Sequence, residues 1–104
     1  MTLEVTYNVY RRIIEFSKTS NKPIPILRYK LPNGIRKGDI IKIRSVQNAS
    51  RTKTLVAEVV DIKKYNIIKD GIPYDEIKPI YEDYVNMMPK LGQIIILYVK
   101  PINF

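Results

Sequence analysis

Residues 27–45, LRYKLPNGIRKGDIIKIRS, carry Arg28, Lys30, Arg36, Lys37, Lys42 and Arg44 against a single acid, Asp39. Side chains two apart in an extended chain share a side, so Arg28 stands with Lys30 and Lys42 with Arg44. Cations in such rows can neutralise successive phosphates. Arg36 and Lys37 lie between the two pairs, Lys22 precedes them, and Arg51 and Lys53 follow. If the two arms pair as a hairpin, the cations gather in one patch. Like charges set opposite each other then cost about 0.2–1 kcal/mol per pair, a cost that a bound anion would relieve. Phosphate contacts carry little sequence information, and base stacking on aromatic rings is the usual complement. Of the eight Tyr residues, Tyr65 sits at a strand end beside Lys63 and Lys64 and is selected as a contact. Tyr29 alternates onto the apolar side of its strand.

The chain has no Cys and no His. That removes disulfides, Cys-ligated metals, thiol catalysis and the commonest general base. An enzyme here would use Lys22 as base or nucleophile, with Glu15, Asp39 or Glu58 as its carboxylate. No metal and no cofactor are implied. The net charge of +8 is unevenly spread: residues 1–57 hold 12 Lys and Arg against 3 acids, and residues 58–104 hold 6 against 7. An excess confined to one half points to an anionic partner, with nucleic acid first.

These residues need elements to position them. Residues 2–7 alternate as a strand, and residues 8–17 read as a helix with Val9, Ile13 and Phe16 on one face and Asn8 as N-cap. Strands follow at 24–31, 39–46 and 53–64, separated by a Pro-Asn-Gly turn at 32–34, Gly38-Asp39 and a polar loop at 48–51. Residues 70–74 are a turn, and Asp75 and Glu76 open a short helix. Pro79 ends it and starts a second one. Residues 93–100 form a last strand, apolar on both faces and so central.

The expected fold class is α+β over residues 1–104 as a single domain. It is a small mixed, partly closed β-barrel of five to six strands, with one N-terminal helix and a helical insertion before the last strand. The longest apolar run, Ile94 to Val99, is too short to span a bilayer. With no secretory signal visible, a soluble, cytoplasmic chain is expected. Richness in Ile, Lys and Tyr without Cys suits a thermophile and equally an AT-rich genome.

Gly38-Asp39-Ile40-Ile41, the strand 55–65 (LVAEVVDIKKY) and the acidic helical stretch after it resemble the ASCH family. Lys22 and Arg28 fall at the Lys and Arg of that family's Gly-x-Lys-Thr-x-Glu-x-Arg motif. The resemblance implies a PUA-like barrel and RNA-related ligands. Some members are amidohydrolases of modified nucleosides, an activity associated with the Lys, Thr and Glu. Here Pro23 stands at the Thr, and Pro25 or Ile26 at the Glu, so the activity is not implied.

Three functions follow. The leading one is a non-enzymatic nucleic-acid-binding module, RNA slightly preferred over single-stranded DNA. Its basic face lies on residues 24–53, with Lys22, Arg28, Lys30, Arg36, Lys37, Lys42, Arg44, Arg51, Lys53 and Tyr65 as contacts. The others are a nucleoside- or nucleotide-directed hydrolase, and a regulatory or viral factor whose basic half docks an acidic protein. No membrane partner is expected, and the sequence leaves the oligomeric state open.

Overall fold

A computed structural model describes residues 1–31, 34–46 and 53–103. The expected turn residues Pro32 and Asn33, the 48–51 loop and Arg51 lie outside the described residues. The element order is β1 (Thr2–Thr6), α1 (Tyr7–Thr19), β2 (Ile24–Arg28), β3 (Ile40–Val46), β4 (Thr54–Asn66), α2 (Ile67–Asp70), α3 (Tyr74–Tyr81), a 3₁₀ helix (Glu82–Met87) and β5 (Gln93–Asn103).

The strands form one mixed sheet in the order β1-β3-β4-β5-β2. β1 runs parallel to β3, and the other neighbours are antiparallel. Alternation decides which side is core. Leu3 and Val5 of β1 and Ile41, Ile43 and Ser45 of β3 are buried, whereas Glu4, Ile40, Lys42, Arg44 and Val46 face out. β5 lies between β4 and β2, and Ile94–Leu97 are buried on both of its faces, as expected for an inner strand.

β4 carries irregularities at Val56/Ala57 and Val59/Asp61. Bulges bend a strand and increase its twist, and here they accompany a sheet curled into a half-barrel. Its two edge strands approach without pairing: Arg28 Nη2 of β2 donates to the Glu4 carbonyl of β1 at 2.6 Å. The β2 edge is closed by other means. Pro25 has no N–H to leave unpaired, and the Leu27 N–H donates to the Tyr81 hydroxyl at 2.8 Å.

α1 buries Val9, Tyr10 and Ile13. Its cap is Thr6 rather than Asn8, since the Thr6 hydroxyl accepts from the Val9 N–H at 3.3 Å. The insertion differs from expectation more. α3 runs through Pro79, although proline cannot return a hydrogen bond to the preceding turn. Ile77, Ile80 and Tyr81 are all buried, so burial of this apolar face holds the helix against the local preference of Lys78-Pro79. No helix among the described residues is long and apolar enough to cross a membrane.

Candidate nucleic-acid interface and two clefts

The two basic arms do not form a hairpin. β2 and β3 stand three places apart in the sheet, with β4 and β5 between them. Lys42 is opposite Thr2 and Val56, and Arg44 is opposite Glu4 and Thr54. No like charges therefore face each other across these registers. The expected repulsion is absent, and so is the inference that an anion must relieve it. β2 ends at Arg28, so Lys30 lies beyond the strand.

The cations fall into three groups. Lys30, Arg36, Lys37, Lys42 and Lys53 are exposed, and the only ion pairs among the described residues belong to Arg11, Arg12 and Arg44. Local backbone geometry places several of them. Asp39 Oδ2 accepts from the Arg36 N–H at 2.8 Å, and the Gly38 N–H and the Asp39 carbonyl bond to Val59 of β4. That pins the turn carrying Arg36 and Lys37 against the sheet. Ser45 Oγ accepts from the Lys53 N–H at 3.2 Å, holding Lys53 at the end of β3.

Arg28 and Arg44 form the second group: Arg28 lies at the gap between β1 and β2, and Arg44, on β3, joins it through Glu4 of β1. Arg44 pairs with the Glu4 carboxylate. Arg28 is half-buried and donates to the Leu27 carbonyl as well as to that of Glu4. The gap opens into a cleft of about 450 Å³ walled by Leu27, Tyr81, Tyr84, Met87 and Met88, with Tyr29 at its side. Tyr29 is 60% exposed, opposite to the expectation that it faces the core. Tyr81 and Tyr84 meet edge to face at 6.3 Å. Burial pushes the Tyr81 phenol up to about 12, against the Leu27 N–H, which favours the phenolate.

Lys22 and Tyr65 belong to a third place. Lys22 lines a separate cleft, also about 450 Å³, with Asp61, Lys63, Asp75, Glu76 and Tyr98. The Glu76 carboxylate accepts from the Tyr98 hydroxyl at 2.7 Å and from the half-buried Tyr65 hydroxyl at 3.5 Å. Lys63 Nζ sits 5.3 Å from the Tyr98 ring centroid. The Tyr98 phenol is raised, first by desolvation and then by the hydrogen bond to Glu76, which ionisation would lose. Tyr65 thus stands in a carboxylate–phenol cluster apart from the exposed cations of the 24–53 segment. Of the carboxylates considered for Lys22, none lines this cleft; Asp61, Asp75 and Glu76 do. Among the described residues no three carboxylates are placed to hold a metal.

Sequence reasoning missed Tyr84, Met87 and Met88 as residues of the first cleft and Glu76 and Tyr98 as residues lining the Lys22 cleft. Their spacing reads as an ordinary core face, and only the fold brings the Tyr84 hydroxyl to 3.4 Å from Thr6, 78 positions away. Comparisons of the chain with protein-family models, with curated proteins and with solved structures found no match.

Proposed function

We propose that the chain is a nucleic-acid-binding module with a PUA-like barrel, RNA preferred, acting without catalysis inside the cell. The observation that carries this is the state of the cations in the basic half. Lys30, Arg36, Lys37, Lys42 and Lys53 are exposed and have no carboxylate partner among the described residues. A chain of net charge +8 that leaves these side chains open offers phosphates sites at little desolvation cost. The RNA preference rests on the ASCH resemblance of residues 38–65. The test is binding of labelled single- and double-stranded RNA and DNA. The Lys30, Lys42 and Lys53→Ala triple variant should lose about tenfold or more in affinity for every ligand that binds, because phosphate contacts are sequence-blind. Unchanged affinity would refute the proposed contacts.

A second reading has its own observation. The Lys22 cleft, with Glu76, Tyr98 and Lys63 around it, supports a hydrolase acting on a nucleoside, with Lys22 and Glu76 as the proton-handling pair. Turnover of modified nucleosides, abolished in both Lys22→Ala and Glu76→Gln while RNA binding persists, would favour it.

A further inference from the structure

We propose that the cleft between β1 and β2 takes one unstacked base of a single-stranded nucleic acid, making the module selective for single strands. This rests on the nucleic-acid reading above and adds a second kind of contact to it. β1 is an edge strand, so part of its backbone hydrogen-bonding capacity faces the gap. Among the described residues, only the Glu4 carbonyl is bonded across that gap to β2, by Arg28. The walls further in are apolar and aromatic: Val9, Leu27, Tyr81, Tyr84 and Met88. A flat apolar ring with a polar edge matches that combination of greasy walls and backbone rim.

Three details favour a base over an aliphatic ligand. Tyr29 leaves 60% of its surface in water beside the cleft, a ring face that a stacked base would cover. The Arg28 guanidinium is fixed by two carbonyls, those of Leu27 and Glu4, giving a rigid planar cation of the kind that stacks on bases. Lys30 follows Tyr29 directly in the chain, and Arg44 pairs with the cleft residue Glu4, so cations stand where the flanking phosphates would run. The volume of about 450 Å³ lies at the lower end of ordinary small-ligand sites, about 300–1,000 Å³. It suits one nucleotide. A duplex cannot use such a cleft, because its bases are paired and stacked and must first be extruded.

The experiment compares a single-stranded RNA with a duplex of equal phosphate count, at one salt concentration, for the unaltered protein, Tyr29→Ala and Lys42→Ala. Tyr29 is too exposed for its loss to unfold the chain. Tyr29→Ala should weaken single-strand binding about 5–150-fold, the range for one stacked base, and leave duplex binding unchanged. Lys42→Ala should weaken both alike. Amide shifts on adding a short oligoribonucleotide should centre on Thr6, Tyr29, Tyr84 and Met87. Equal effects of Tyr29→Ala on both ligands, no effect on either, or shifts confined to Lys42 and Lys53 would overturn the base pocket while leaving phosphate binding intact. Absence of binding by the unaltered protein to either ligand would overturn both.

Discussion

Tyr81 illustrates how one phenol serves structure and cleft together. Its ring walls the cleft, and its oxygen accepts the Leu27 N–H that β2 would otherwise leave unpaired at the sheet edge. Tyr81→Phe keeps the ring but orphans a buried donor, at a cost of about 1–3 kcal/mol, readable by urea denaturation. The same burial makes a pH prediction. Tyr81, at about 12, and Tyr98 are both raised above the unfolded value of 10.0. Between pH 10 and about 12 the folded chain therefore holds protons that the unfolded chain has lost. Their contribution to stability is complete below pH 10 and falls as pH rises through that window. Spectrophotometric titration should show the Tyr81 and Tyr98 phenols ionising only above pH 10, or together with unfolding. Neither behaviour is legible in the sequence, where all eight tyrosines look alike; it follows from contacts such as Leu27–Tyr81, 54 positions apart.

At the scale of elements, the strands were the legible part. Alternation over 2–7, 39–46 and 53–64 places β1, β3 and β4 nearly to the residue, and the unbroken apolar run of 94–97 places β5 inside the sheet. Strand neighbours were not legible, because alternation says which face is buried and nothing about which edge meets which. That is why the basic arms read as a hairpin and stand apart. Gly38 is legible for a physical reason: its φ of 95° is open to glycine and costly to other residues. An added Cβ would meet nothing within 4 Å, so Gly38→Ala should destabilise by about 1–2 kcal/mol through backbone conformation alone, a shift seen in thermal unfolding. The 3₁₀ helix Glu82–Met87 buries none of its residues. It is held to α1 by Arg12, 2.8 Å from Asp83 and 3.8 Å from Glu82. Arg12→Gln should cost about 1 kcal/mol or less overall, yet speed amide exchange across 82–87 well beyond that in the sheet.

At the scale of the whole molecule, a curled five-stranded sheet keeps its Ile-rich side in the core and leaves most of the basic half in solvent. The charge imbalance between the two halves was plain from the sequence, and most of its cations are exposed as expected. What folding changed is their grouping. Arg44 is paired with Glu4, Lys22 joins a carboxylate-rich cleft, and Arg28 bridges the two sheet edges. The remaining cations carry the central claim of phosphate binding. The most direct test is fluorescence anisotropy of a labelled single-stranded RNA across a salt series. Each phosphate neutralised contributes about −0.7 to the slope of log affinity against log salt, so engagement of four or five of these side chains predicts a slope of about −3. A slope near zero, or no binding at low salt, would contradict the account.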